Sequence, residues 1–550
     1  MTLPLRRCLS AAALVLCLAA PAAAGAQEAV PPPGPAPGWA ELEAAGARIG
    51  EIRVVSDDIF DTADPREDKW LFRGANRLHI QTRPGVIERQ LLFKSGDRLS
   101  VRVLEETERL LRNNRYLYDV RFRALAWHDG VVDIEVMTRD TWTLDLGASA
   151  GRTGGANTSG VHLREYNLLG TGTTLSVGRS NGVDRSGNEF EFFNDRAFGT
   201  AAALSYQHAS NSDGRRDAIS AQLPFRSLDS RRAAGLRVSN DDRIDAVYSA
   251  GNVVSQYRRR QNQREIFGGW SAGLQDGWVQ RYSGGLRVDD DGYAPEPGLV
   301  APTPLPADEK RVAPFVRIDL IEDRYEKEQN RNLVGRPEFF ALGMAASMQL
   351  GRAATALGST RNAWLYAASL SRGFEPVNGH RLIAAASMSG RHSDGQPQRQ
   401  GGNLQAQYYL PQSPRWLFYA SGALDLLKNP DPADALQLGG DNGLRGYPLR
   451  YQSGTRRALF TVEERFYTDI YLWQLFRIGG AGFFDVGRAW GGATANPQDP
   501  GWLRNAGVGL RFVSARAAFS NVLHVDLAFP LDAPADVKKV QFLVKTKTSF

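Results

Sequence analysis

Cysteine is absent from the sequence beyond residue 17. Cys8 and Cys17 both lie in an N-terminal stretch that carries Arg6 and Arg7, an apolar run from Leu9 to Ala20, and the small residues Ala24, Gly25 and Ala26. That pattern predicts a secretory signal peptide over residues 1–26, with an apolar run short for a hydrocarbon core of ~30 Å. Leu16 and Leu18 fit a lipid-attachment site around Cys17 poorly. The chain expected after cleavage therefore has no disulfide, no thiolate metal site and no cysteine nucleophile. Histidine is scarce as well. His79, His128, His162, His208, His380, His392 and His524 form no HExxH and no local pair at metal spacing, so no metal or cofactor is expected. A Gly-x-Ser-x-Gly elbow is missing, and the turn at Gly170 and Gly172 lacks the lysine and helix of a phosphate loop. These absences predict a non-enzyme without catalytic residues. No later segment offers ~18 uncharged apolar residues, which excludes a transmembrane helix. Charge of one sign does not dominate either, with 66 Lys and Arg against 60 Asp and Glu. With no basic run interleaved with aromatics, nucleic acid is not an expected partner.

The chain is rich in glycine (56 residues) and in aromatics, with 11 Trp, 17 Tyr and 25 Phe, which suits a large β structure. Its last residues, 540–550, alternate. Val540, Phe542, Val544, Thr546, Thr548 and Phe550 share one face, and Gln541, Leu543, Lys545, Lys547 and Ser549 share the other. One face suits hydrocarbon and the other a wet lumen, the two-residue period of a transmembrane β-barrel strand. Over residues 141–550 such segments follow one another, among them 142–150, 160–168, 173–179, 315–320, 364–371, 508–512 and 522–529. Their number lies between roughly 16 and 20. Lipid-facing strands must close into a barrel, because an open edge in hydrocarbon leaves amides unpaired.

Ahead of this region, a Pro-rich linker is expected over residues 27–46, with Pro31, Pro32, Pro33, Pro35 and Pro37. A small α+β module follows over 47–140. It reads as a strand at 49–55, a less clear insertion at 56–80, and a short helix at 85–92. A second helix is capped by Ser100, with Val103, Leu104, Leu110 and Leu111 near one face, and strands at 117–125 and 131–138 complete the module.

Two segments break the strand rhythm. Residues 289–310, with Asp289, Asp290 and Asp291, lack the alternating ligands of a calcium loop and read as a solvated surface loop. Residues 428–456 contain Gly439, Gly440, Gly443 and Gly446 around the single cation Arg445. Downstream, the alternation over 458–467 puts Glu463 on the face opposite Phe460, Val462 and Phe466. In 481–490, Asp485 shares a face with Phe483 and Gly487, opposite Phe484 and Val486.

The run Leu444-Arg445-Gly446-Tyr447 resembles the Val/Ile-Arg-Gly-Phe/Tyr motif in the sixth extracellular loop of the BamA/TamA outer-membrane insertase superfamily, also called the bacterial surface antigen family. Leu444 departs mildly from it. Phe483-x-Asp485-x-Gly487 is similar to the family's Phe-x-Asp-x-Gly strand motif, Glu463 to its acidic strand residue, and the turn from Asn167 to Gly172 to its Asn-x-x-Gly-x-Gly turn. The strand, helix, helix, strand, strand order of residues 47–140 resembles the family's periplasmic POTRA module, here present once. The resemblance implies an all-β transmembrane fold, a 16-stranded antiparallel outer-membrane barrel behind one small POTRA-like domain. It also implies a loop-six lock built from Arg445, Gly446, Tyr447, Glu463, Asp485 and Gly487, and a C-terminal barrel signal in Phe542, Val544 and Phe550. Residues 467–476 would form a periplasmic turn, with Tyr467, Tyr471, Trp473 and Phe476 in the interfacial girdle. The first strand, near 142–150, would meet the last at a seam able to open sideways.

The function implied is assembly or translocation of client polypeptides in the outer membrane of a Gram-negative bacterium, with the module in the periplasm capturing clients by β-augmentation. Expected partners are the lipid bilayer, client polypeptides and periplasmic accessory proteins. A dedicated two-partner secretion transporter, and a lipid-handling or passive channel barrel, stand as alternatives.

Overall fold

A computed structural model describes residues 37–332, 337–492, 499–514, 516–518, 522–535 and 537–547. The expected signal peptide, most of the linker and Phe550 lie outside the described residues.

The N-terminal unit is a three-stranded sheet of β1 (Arg48–Asp57), β2 (Leu117–His128) and β3 (Val131–Asp140), in the order β1-β3-β2. β3 is parallel to β1 and antiparallel to β2. Its apolar residues Val132, Ile134 and Val136 are fully buried, as a central strand requires. Asp129 and Gly130 close the β2–β3 hairpin with positive φ, the backbone that matches strand twist. Helices α1 (Trp39–Ala44), α2 (Trp70–Leu78), α3 (Pro84–Glu88) and α4 (Val101–Arg112) surround the sheet. Leu104 and Leu111 of α4 pack on it, and so does Leu42 of α1. The Pro-rich segment read as a linker to residue 46 thus ends earlier, because Leu42 belongs to the core. The insertion at 56–80 carries α2.

The second unit is a closed antiparallel barrel of twenty strands, from Leu144–Thr153 to Gln541–Lys547. The expected count of sixteen is corrected to twenty. The segment expected as a surface loop is corrected as well. Residues 289–295 are not a surface loop but the end of the strand Trp278–Pro295, paired with the preceding strand throughout and with the following strand as far as Asp291, which stands between Gln261 and Glu309. Asp289 and Asp291 are buried because Arg311 reaches both, at 3.7 and 2.7 Å. An aspartate run looks like a loop only until its counter-cation is found across the sheet. Fifteen strands precede the loop 429–455 and five follow it.

Side chains alternate as barrel strands demand. Val316, Ile318, Phe460, Val462, Val508, Leu510 and Phe542 face outward and are exposed, while Gln541 and Leu543 are buried inside. No described helix is long and apolar enough to cross a membrane.

The N-terminal unit holds one end of the barrel through the turns that follow even-numbered strands. Arg83 N–H donates to Gly170 O (3.0 Å), and Leu228 N–H donates to Glu106 Oε1 (2.8 Å). Lys327 pairs with Glu108 at 2.7 Å, and Trp142 N–H donates to Arg516 O at 2.8 Å. The turn from Asn167 to Gly172 is therefore a docking turn, with Asn167 Nδ2 on Thr82 Oγ1 at 2.8 Å. The loop 429–455 lies at the opposite end.

Between first and last strands the ladder nearly vanishes. Among the described residues it is the single pair Val544 opposite Arg152, against seven pairs between the last two strands and ten in the first hairpin.

Candidate functional site

Residues 429–455 connect Trp416–Lys428 to Arg456–Leu472 and turn back into the lumen. Alternation on the strands decides what they meet. Phe460 and Val462 point to lipid, so Glu463, Arg465 and Tyr467 point inward, and on Phe476–Trp490 so do Phe483, Asp485 and Gly487. Arg445 reaches both acids. Its Nε donates to Asp485 Oδ2 (2.8 Å), its Nη2 to Asp485 Oδ1 (2.7 Å) and its Nη1 to Glu463 Oε1 (2.9 Å). The guanidinium also lies 3.4 Å from the centre of the Phe483 ring. Arg445, Glu463 and Asp485 are 7, 5 and 0 % exposed. A planar fork with five donors holds Asp485 bidentately while still reaching Glu463, a geometry that a compact ammonium does not match.

The carboxylates have further partners that the sequence reading missed. Thr461 Oγ1 (2.9 Å) and Asn505 Nδ2 (2.8 Å) donate to Asp485, and Arg465 Nε donates to Glu463 Oε2 (2.9 Å). Asp526 stands 3.9 Å from Arg445 and accepts from Arg511 at 2.5 Å. The alternation that exposed Glu463 also places Asp526 with His524 on the lumen face. That signal was available in the sequence; the pairing across strands was not.

Gly446 is a glycine for reasons of space. Its N–H donates to Asn505 Oδ1 at 3.1 Å, and a Cβ there would stand 2.6 Å from the Asn505 Cβ. Tyr447 is fully buried among Leu438, Leu444 and Leu503, with its hydroxyl donating to Arg504 O at 3.1 Å. Gly487 leaves room for Leu438, whose Cδ2 would meet a Cβ at 3.0 Å.

The same loop spans the seam. Leu449 N–H donates to Gly154 O in the first hairpin (3.2 Å), and Lys545 Nζ on the last strand donates to Asp441 O (3.0 Å). Farther round the mouth, Arg450 pairs with Asp184 and stacks on Tyr248 at 4.0 Å, while Arg399 Nε and Tyr293 Oη donate to Asp431 at 2.7 and 3.2 Å.

The opposite mouth is filled by a hairpin, Tyr325–Gln329 with Pro337–Ala341, between the tenth and eleventh strands. Phe340 and Leu342 pack there with Tyr409, Leu417, Tyr419 and Tyr467. Arg465 Nη1 and Tyr467 Oη both donate to Arg331 O at 3.1 Å. Tyr467, expected in the interfacial girdle, is instead an inward, buried residue, because it shares the face of Glu463 and Arg465. Trp473 is exposed as a girdle residue should be. Among the described residues no three His, Cys, Asp or Glu side chains are grouped to hold a metal ion.

A family model described as the Omp85 superfamily domain matches residues 167–550. No curated protein matches. Among solved structures, similarity over 91 % of this chain is found to BamA from Haemophilus ducreyi lacking POTRA domains 1–3 (12 % identity, 85 % of that chain, TM-score 0.39). CdiB from Acinetobacter baumannii (13 %, 73 % of that chain, 0.45) and CdiB from Escherichia coli (13 %, 76 %, 0.49) are similar over the same 91 % of this chain.

Proposed function

The chain belongs to the Omp85 superfamily of outer-membrane β-barrels, and from that premise we propose that it assembles or translocates client polypeptides through the seam of its barrel. The observation that carries this reading is the seam itself. First and last strands share one ladder pair among the described residues, so the first strand offers a nearly free edge to an incoming strand. A client hairpin pairing there would exchange a weak ladder for a full one, and its own folding would supply the free energy without ATP.

In this reading the barrel sits in the outer membrane of a Gram-negative bacterium. The N-terminal unit is a POTRA-like periplasmic domain whose outer strand β2 captures extended clients by β-augmentation. Arg445, Gly446, Tyr447, Glu463, Asp485 and Gly487 form the lock that holds the loop across the closed seam. Phe542 and Val544, with Phe550, serve as the C-terminal barrel signal. Bond-breaking chemistry has no part in the mechanism, and the loop at one mouth with the hairpin in the other argues against a passive channel.

The test is a disulfide across the seam between Arg152→Cys and Val544→Cys, read by the outer-membrane and secreted proteomes of a strain depleted of the native protein. The oxidised chain should fail to support them and the reduced chain should restore them. Loss of many barrels assigns assembly, and loss of one exported or surface polypeptide assigns a dedicated transporter. A chain that works equally well with its seam bonded refutes opening of the seam.

A further inference from the structure

Helix α2 presents an apolar edge that the protein leaves uncovered. Trp70, Leu71 and Leu78 are 79, 53 and 77 % exposed. Trp70 and its neighbour Leu71 stand two turns from Leu78 with Gly74 between, at i, i+4, i+8 from Trp70 and i, i+3, i+7 from Leu71, so they form one continuous stripe. Rotation of the stripe inward is blocked, because the other side of the helix is already engaged. Phe72 stacks on Phe60 with ring centroids 4.0 Å apart. Asn76 Nδ2 donates to Phe60 O and Asn76 Oδ1 accepts from Phe60 N–H, at 2.9 and 3.2 Å. His79, just past the C-terminus, is held 2.9 Å from Asp140. The exposed Arg77, and Arg73 in a surface pair with Asp68, border the stripe.

The position of the stripe identifies its partner. Between α2 and the barrel runs an apolar groove lined by Leu71, Phe72, Ala75, Trp142, Leu475 and Phe476. Phe476 and Ser514 also touch this groove, and both face outward. They are opposite one another in the ladder and share the outward parity of Val508 and Leu510. The groove therefore opens on the lipid side of the wall, at the edge of the apolar belt nearest the N-terminal unit. Exposed Ile470 and Trp473 continue the belt beside it.

We propose that α2 is an in-plane membrane helix. Its Trp70–Leu71–Leu78 edge enters the leaflet of the outer membrane that faces the N-terminal unit, phospholipid acyl chains fill the groove, and Arg73 and Arg77 meet the phosphate headgroups. This rests on the reading of the barrel as an outer-membrane protein. An apolar helical edge with flanking cations, continuous with a lipid-facing wall, has the chemistry of an interfacial helix. The residues that follow the eighteenth strand (516–518) receive the chain at Trp142, just before the first strand. The helix accordingly lies under the part of the wall adjoining the seam, where it disturbs lipid packing.

The test places a polarity-sensitive fluorophore on single cysteines in the full chain with Cys8→Ala and Cys17→Ala. The protein is reconstituted in vesicles of phosphatidylethanolamine and phosphatidylglycerol in equal amounts and exposed to doxyl-labelled lipid and to aqueous iodide. Leu71→Cys should emit blue-shifted light, be quenched by doxyl lipid as Val508→Cys is, and resist iodide. Arg121→Cys, exposed on β2, should be quenched by iodide alone. If Val508→Cys is not quenched by lipid, the barrel is not in the bilayer and the membrane reading itself fails. If Val508→Cys is quenched by lipid while Leu71→Cys answers to iodide, α2 lies in water and the inference is wrong. Shielding of Leu71→Cys from both quenchers means that protein covers the stripe, which also overturns it.

Discussion

Replacing Arg445 by alanine tests the lock most directly. The substitution removes three charge-assisted hydrogen bonds and a ring contact from a site that water scarcely reaches. Removing one partner of a buried ion pair costs about 3–5 kcal/mol, mainly because the other charge is left uncompensated. Here the lower end applies. Asp485 keeps its donors Thr461 and Asn505, and Glu463 keeps Arg465. At about 1.4 kcal/mol per factor of ten, roughly 3 kcal/mol corresponds to about a hundredfold shift of the loop toward release. Hydrogen exchange reads that shift without any label. Gly446 N–H is bonded to Asn505 and Leu449 N–H to Gly154 O in the first hairpin, so both amides exchange only when the loop leaves. In Arg445→Ala their exchange should accelerate by about two orders of magnitude, while amides of the strand Leu503–Ser514 change little. Adding Asp485→Asn removes the stranded charge, so it should recover part of the barrel's stability without restoring loop protection. Arg445→Lys, charged but without the fork, should fall between. If both amides exchange in Arg445→Ala at the native rate, the loop is held by its other contacts and the lock assignment is wrong.

The loop also depends on close approach at the seam, since a Cβ on Gly154 would stand 2.3 Å from the Leu449 nitrogen at a φ of +55°. Gly154→Val should therefore raise exchange at Leu449 while leaving the Arg445 contacts, and protection at Gly446, largely in place. Asp291→Ala takes one of three acids from Arg311 and should lower barrel stability by about 1.5–3 kcal/mol, seen as a lower urea midpoint for loss of the compact gel form. Burial pushes the Tyr116 hydroxyl in the N-terminal unit up to about 12. Its pKa is raised on folding, so the stability it contributes is full below the unfolded value of about 10 and is lost between there and about 12, a change of about 2–3 kcal/mol. Alkaline unfolding of the N-terminal unit, followed by limited proteolysis, should be shallower in Tyr116→Phe across that window. Lys327→Glu opposes Glu108 and should loosen the hairpin from the N-terminal unit, raising protease cleavage near residue 329 with the barrel intact.

How much of this was legible in the sequence depended on the range of the interaction. Two-residue alternation is local, and it separated Glu463 from Phe460 and Val462, Asp485 from Phe484 and Val486, and Phe542 from Gln541 and Leu543. The short motif around Arg445 likewise marked the loop that folds inward. Strand length is not local. The extension of Trp278–Pro295 through three aspartates is stabilised by Arg311 on the next strand, and nothing within residues 289–295 announces it. Tyr467 was misplaced for a related reason. An aromatic near a turn suits a girdle, but its parity with Glu463 turns it inward, where the hairpin carrying Arg331, more than a hundred residues earlier, supplies its partner. Asn505 offered no pattern, because its role is to fill the gap between Gly446 and Asp485.

Glu463 stands between two arginines that belong to different ends of the barrel. Arg445 arrives from the loop over one mouth, and Arg465 holds the backbone of the hairpin in the other. Their energies are therefore not independent. Whatever the departure of Arg445 adds to the Glu463–Arg465 pair, withdrawal of the hairpin from Arg465 must return to Arg445 in equal measure. The two closures work against simultaneous release, as the doors of an airlock do. Release of the loop at one mouth would thus leave the hairpin shut at the other, and the reverse.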